Sequence, residues 1–279
     1  MTAALPRQIG VFGLGLMGAS LARGLRGAGV RVAAAEAREE VRKRAVADGA
    51  ADEVHESAGA WLEGCEVVVL CTPIAAIEAL IAPVSCRMSS GSVLSDVGGA
   101  KERVLAVAKE DLHPKVSFVG AHPMFGGRGG YEAARADRWQ GGTVALCTDG
   151  APPGAVERVA ALHRALGARV TPCTAAEHDA AVAMVSHLPY LVAAALSLSA
   201  RGAGPLAAEL AGPGLNDMTR LAGFAFDIQG EVARRNAHLP AAAADLGERL
   251  RRILEAIAES PGAARQALEE ARAAREELF

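Results

Sequence analysis

Aromatic side chains are scarce in this sequence, 4% of 279 residues, so the core has to be built from Val, Leu, Ile and Ala within an apolar share of 51%. A net charge of -3, with arginines interleaved among glutamates rather than gathered in a patch, offers no electrostatic case for binding DNA, RNA or an anionic membrane. No run approaches the roughly 20 apolar residues that a membrane span requires, and Met1–Arg7 contain no apolar leader core, so a cytoplasmic protein is expected. The five cysteines, Cys65, Cys71, Cys86, Cys147 and Cys173, include no C-x-x-C pair and none at metal-ligand spacing to a histidine. They read as reduced core thiols, with no metal site and no disulfide.

Strand, turn and helix signals alternate in the first part of the chain. Gln8–Phe12 is an apolar strand, followed by the loop Gly13-Leu14-Gly15-Leu16-Met17-Gly18, a helix Ala19–Arg26 and a second strand Val30–Ala35. Further β-branched runs stand at Glu66–Leu70, Ser92–Asp96, Val116–Gly120, Thr143–Cys147 and Ala168–Thr171. Helical segments between them predict an α/β, Rossmann-type domain: a doubly wound, mostly parallel sheet with helices on both faces. Beyond Cys173 only helical periodicity remains, broken at Pro189, Pro205, Gly212-Pro213-Gly214, Pro240 and Pro261-Gly262. The expected division is 1–172 for the dinucleotide-binding domain and 173–279 for an all-helical domain. In the latter Leu246, Leu250, Ile253 and Ile257 share one stripe, which suits a homodimer contact.

The glycines of the first loop have separate physical tasks. Gly13 permits the tight turn, Gly15 lets a pyrophosphate approach the backbone, and Gly18 lets the helix lie close to the strand. A diphosphate would rest on the helix N-terminus, where free N–H groups and the helix dipole favour an anion, and Leu14, Leu16 and Met17 are assigned with the glycines to cofactor binding. Glu36 follows about 20 residues on, at the end of the second strand, where a carboxylate accepts from ribose hydroxyls and repels a 2′-phosphate. NAD is therefore the expected cofactor; Arg38 and Arg42 keep NADP as the alternative. Cys71-Thr72-Pro73 and Asp96 end two more strands at the same crevice and are assigned to cofactor binding.

Ligands of such sheets bind outside the carboxyl ends of the strands, and His122 stands at one, held extended by Pro123. Two later segments carry polar residues in a helical context. In Ser186-His187-Leu188-Pro189-Tyr190, Pro189 is expected to kink a helix and open polar side chains to a cavity. In Asn216-Asp217-Met218-Thr219-Arg220, Asn216 is placed to cap a helix and Asp217 and Arg220 share a face. A guanidinium there suits a carboxylate; a surface ion pair is the other reading.

In this order, the glycine loop, Ser95-Asp96-Val97-Gly98-Gly99-Ala100-Lys101, Gly120–Met124, Glu177–Pro189 and Asp217–Ala222 together resemble the prephenate/arogenate dehydrogenase family of tyrosine biosynthesis. The resemblance implies oxidative decarboxylation of a cyclohexadienyl substrate. Hydride would leave C4 of the ring, His122 would take the proton of the C4 hydroxyl, and Arg220 would hold a substrate carboxylate. Asp217 would orient Arg220, with Ser186, Thr219, Tyr190, Arg128 and Gly99 lining the pocket.

Several positions depart from the family pattern. Gly99 stands where a serine is common, Arg128 where an acidic residue is common, and Tyr190 where a histidine is. Phe224-Ala225-Phe226 and Gln229 replace a Ser-Asp-Pro and tryptophan segment. The changes around C4 leave a 4-amino-4-deoxyprephenate dehydrogenase as the rival within the family. A β-hydroxyacid dehydrogenase or imine reductase explains the glycine loop alone, and a non-catalytic NAD-binding sensor would have kept the fold without turnover.

Overall fold

A computed structural model describes residues 4–278, so the reading of Met1–Arg7 falls partly outside them, as does the last residue of the expected helical domain. Eight strands form one sheet: β1 (Gln8–Phe12), β2 (Arg31–Ala35), β3 (Glu53–His55), β4 (Val67–Leu70), β5 (Val93–Asp96), β6 (Ser117–Pro123), β7 (Thr143–Cys147) and β8 (Arg169–Cys173). Their order is β3-β2-β1-β4-β5-β6-β7-β8, so the chain reverses its direction of travel across the sheet between β1 and β4. The first six strands are parallel; β7 runs antiparallel to β6, and β8 is parallel to β7. Helices α1 (Leu16–Gly27), α2 (Glu39–Ala47), α3 (Ile74–Ser85), α4 (Glu102–Asp111) and α5 (Pro153–Ala165) cover the two faces, over two cores of Val, Leu, Ile and Ala. Burying both faces is what makes the central strands continuous apolar runs.

The sheet differs from the sequence reading in two places. The edge strand β3 is three residues long and shows too little pattern to be seen in advance. β6 continues through His122 to Pro123, because antiparallel β7 extends the ladder beyond the last partner on β5, pairing His122 with Ala145. His122 therefore lies within a strand rather than after it. Pro123, which has no N–H to give, takes the final position.

The change to helix falls at Thr174, whose side chain caps α6 (Ala175–Val182) in a capping box with Glu177; Pro172 is inside β8. A π turn (Ala183–His187) joins α6 to α7 (Leu188–Gly202), so the irregularity expected at Pro189 takes the form of a wide turn just before it. The joined run Ala175–Gly202 has mean hydropathy 1.7 and is long and apolar enough to cross a membrane by length and composition. This corrects the expectation of no such run: valines, leucines and alanines carry the hydropathy around isolated polar residues such as Ser186 and His187, so no unbroken apolar stretch announces it. α8 (Pro205–Glu209), α9 (Pro213–Thr219), α10 (Phe226–Arg235), α11 (Leu239–Glu259) and α12 (Pro261–Leu278) complete the helical part. Gly212, not Asn216, occupies the N-cap of α9, since Pro213 starts the helix earlier. Of the expected stripe on α11, Leu246 packs on Leu188, Ala233 and Leu239, whereas Leu250 and Ile257 are exposed. Nor are the thiols uniformly internal: Cys86 is exposed.

One internal histidine links the core to pH. Trp139, fully buried, donates from Nε1 to Nδ1 of His163 at 2.9 Å. Neutral His163 must then carry its proton on Nε2, which is buried without a partner, and burial lowers its pKa from 6.5 to about 4. The unfolded chain takes up this proton below pH 6.5 and the folded chain only near pH 4. Stability is thus complete above 6.5 and falls as the pH drops through this window, by about 1.4 kcal/mol per unit from His163 alone. Urea unfolding at pH 7.5 and pH 5 should show the loss; equal midpoints would contradict it.

Candidate active site

Open α/β sheets bind ligands where strand order reverses, and here the ends of β1 and β4 meet at that point. Gly13 adopts φ +84, and a side chain there would strike Thr72 and the Cys71 carbonyl. A Cβ on Gly18 would come within 1.9 Å of the Gly13 carbonyl oxygen, while nothing lies within 4 Å of one on Gly15. The loop is therefore closed on the protein side and open at Gly15, which caps α1 without any side-chain acceptor. Thr72 Oγ1 is buried beside it with no partner. These features fit a dinucleotide diphosphate on the α1 N-terminus.

Glu36, 6% exposed, accepts from the Leu14 N–H at 2.8 Å and from Arg38 Nε at 2.9 Å. Burial opposes its charge, but the bonds from Arg38 and Leu14 outweigh it and hold the carboxyl below its ordinary range. Arg42 turns away to the carbonyls of Glu36 and Ala37. Asp96 is wholly buried and sits beneath the crevice. Its oxygens accept from Lys101 Nζ, the Gly98 N–H and the Ala121 N–H, so it braces the β5 and β6 ends and has no free face for a cofactor.

Around His122 the two parts of the chain meet. Asp179 of α6 accepts the N–H groups of Lys101 and Glu102 at 2.8 and 2.9 Å, capping α4 from across the junction. Burial works against its charge; the bonds from His178, Glu102 and Lys101 prevail and lower its pKa. A carboxylate only accepts, so His178 Nδ1, 2.7 Å away, carries a proton. With its single proton on Nδ1, His178 offers the Nε2 lone pair to His122 Nδ1 at 2.9 Å, and in that tautomer the His122 proton lies on Nδ1. What remains is the lone pair on His122 Nε2, facing Gly99. Burial first, then His178, Lys101 and His187, push the His122 pKa well below 6.5, so this nitrogen is a free acceptor at neutral pH. Asn236 braces the arrangement, donating to the Asp179 carbonyl at 2.7 Å and to His187 Nδ1 at 3.0 Å.

Beside this junction a cavity of about 170 Å³ is lined by Val185, Ser186, Pro189, Tyr190, Leu221, Phe224 and Gln229. Arg128 reaches its rim, donating to the Arg220 carbonyl at 3.1 Å with its guanidinium 5.5 Å from the centre of the Phe224 ring.

A family profile described as prephenate dehydrogenase, nucleotide-binding domain, matches residues 21–172, and one described as prephenate dehydrogenase, dimerization domain, matches residues 174–268. The chain belongs to the prephenate dehydrogenase family. It is 29% identical to a cyclohexadienyl dehydrogenase of Zymomonas mobilis over 67% of this chain and 65% of that protein. It is 27% identical to a prephenate dehydrogenase of Bacillus subtilis over 75% of this chain and 59% of that protein. The chain thus matches less than two thirds of the length of these relatives. Among solved structures, arogenate dehydrogenase from Synechocystis superposes with a TM-score of 0.86 at 27% identity, covering 98% of this chain and 100% of that one. Prephenate dehydrogenase from A. aeolicus in complex with hydroxyphenyl propionate and NAD+ superposes at 0.91 with 23% identity, covering both chains completely, which speaks to the fold.

Within this member of the prephenate dehydrogenase family, the residues singled out from the sequence fall into three groups. His122 and Gly99 adjoin, Ser186 and Tyr190 share the cavity, and Arg128 and Arg220 meet at its rim. Asp217 does not join them. It is exposed on α9 and makes no ion pair with Arg220, which is exposed in the 3-10 turn (Arg220–Gly223) that follows. Thr219 bonds back to the Leu215 carbonyl at 2.7 Å. The sequence reading gave no role to His178, Asp179, His187, Asn236 and Val232. A signal existed for the first three, as polar residues inside the most apolar helical run of the chain; Asn236 and Val232 had none.

Proposed function

We propose that this chain catalyses NAD-dependent oxidative decarboxylation of prephenate to 4-hydroxyphenylpyruvate, or of arogenate to tyrosine. The observation that carries this reading is the Asp179–His178–His122 chain, which ends in an unshared Nε2 lone pair at the domain junction. Such a nitrogen serves as a general base for one hydroxyl proton. NAD, when bound at the glycine loop, accepts the hydride that leaves C4 of the ring.

His122 Nε2 takes the C4 hydroxyl proton as that carbon becomes a carbonyl. Release of the ring carboxylate as carbon dioxide then leaves its bonding electrons to complete the aromatic ring, and His122 returns the proton to the resulting phenolate oxygen. Arg220 and Arg128, neither of them in an ion pair among the described residues, hold the substrate's carboxylates at the cavity rim. Ser186 and Tyr190 line the space for the ring. A second copy of the chain covers the exposed apolar side chains of the helical part, among them Leu198, Leu206, Leu210 and Ile257.

Purified protein with NAD should form NADH from prephenate or arogenate, read by absorbance. A folded, NAD-binding sample without turnover on either compound would favour a sensor. Glu36 repels a 2′-phosphate, so kcat/KM with NAD should exceed that with NADP by about 100-fold. Glu36→Ser should narrow the ratio at least tenfold, and an unchanged ratio would remove Glu36 from cofactor choice.

A further inference from the structure

Position 99 lies against the reacting end of His122, and its surroundings are crowded rather than empty. A Cβ built on Gly99 would stand 3.5 Å from His122 Nε2, but only 2.9 Å from Val232 Cγ1 and 3.4 Å from Cγ2. Val232 comes from α10 in the helical part, yet it is 9% exposed and packs with the side chains of α3 and α4 under the sheet. It cannot easily withdraw. Arg235 on the same helix is tied to Glu78 of α3 at 2.9 and 3.3 Å, and Asn236 at its end is tied to Asp179 and His187.

We propose that Val232 is a specificity-determining residue: it takes the volume of a side chain at 99 and sets an apolar wall beside His122 Nε2, so that the site selects rings bearing a neutral hydroxyl at the reacting carbon over rings bearing an ammonium there. This rests on the function proposed above. A hydroxyl has one proton to give and finds one acceptor in Nε2. An ammonium has three, and the charged side chains that act on His122, namely His178, Lys101 and His187, include no anion. The nearby carboxylates are already engaged, Asp179 by His178 and the α4 N-terminus and Asp96 by Lys101 and the Gly98 and Ala121 N–H groups. A methyl wall leaves the remaining ammonium protons without acceptors, and an unpaired polar group in such a place discriminates strongly.

The test uses the full chain with NAD, prephenate and 4-amino-4-deoxyprephenate, and the variants Val232→Ala, Gly99→Ser and their combination. Gly99→Ser alone should lower kcat/KM for prephenate about tenfold or more through overpacking, and the double variant should recover most of that loss. Val232→Ala should reduce the preference for the hydroxyl substrate at least about fivefold by admitting water or a polar partner. Wild-type kinetics in Gly99→Ser, a double variant equal to the product of the singles, or an unchanged substrate preference in Val232→Ala would overturn the proposal. If the wild type turns over neither of these compounds nor arogenate, the proposed function fails. The pairing is then read from thermal midpoints, where additive shifts of the two substitutions would overturn it as well.

Discussion

His122→Asn should lower kcat about 1,000-fold while leaving NAD affinity within about threefold of the wild type. The loss follows from the direction of the hydrogen bonds. Asp179 fixes the proton on His178 Nδ1, His178 fixes the proton on His122 Nδ1, and Nε2 is left to accept. An asparagine at 122 offers no basic nitrogen, whichever way its amide turns. NAD binding should survive because the glycine loop follows β1, which β4 and β5 separate from β6. Initial rates of NADH formation and a fluorescence titration with NAD separate the two effects. A variant that keeps a tenth of the wild-type rate would exclude His122 as the base. In the wild type, burial holds the His122 pKa well below 6.5, so kcat/KM should be flat on the acid side down through pH 6.5 and fall only as His122 becomes protonated.

The next largest effect is expected at Asp179, a positioning residue that touches no substrate. Asp179→Asn should lower kcat about 100-fold and destabilise the protein by about 2 kcal/mol. The carboxylate is the only part of the relay that cannot donate. An amide can turn its N–H toward His178 Nδ1, which would place the His178 proton on Nε2 and drive the His122 proton onto its own Nε2. The base would then be capped by its own hydrogen. The stability loss has a different origin: the same carboxylate caps α4 through the Lys101 and Glu102 N–H groups. His178→Gln separates positioning from simple structural support. Removing that ring removes one of the causes that depress the His122 pKa, so the acid limb of kcat/KM should move up toward 6.5. If kcat falls and the limb stays where it was, the relay does not act through His122.

Local signals were the ones that could be read in advance. Gly13, Gly15 and Gly18 lie between an apolar strand and a helix, the context that gives their spacing weight, and Glu36 follows at the distance one helix and one strand occupy. Both therefore place themselves once β1 and α1 are recognised. The strands were visible because buried parallel strands are apolar throughout. Three-residue β3 carried too little pattern, and the extra length of β6 depends on β7, a partner strand whose direction no local run encodes. Ser186 and Tyr190 could be picked out as polar positions near a proline, but the form of the break, a π turn, follows from how the run settles between α11 and the junction.

Fold class lay within short range of the chain: periodicity and glycine spacing suffice for a dinucleotide sheet, whereas the acid-base role expected of His122 came from the resemblance carried by the later segments. Three other features arise only on folding. The tautomer of His122 is set by Asp179, whose charge is sustained by the N-terminus of a helix in the other part of the molecule. Gly99, which by itself resembles a lost side chain, is a filled position because Val232 occupies it. Asp217 and Arg220, spaced as a pair, are both exposed and form no ion pair once folded. In the first two cases the deciding contact joins segments whose proximity depends on the whole fold, and hydrogen-bond direction and steric volume exist only once those segments meet.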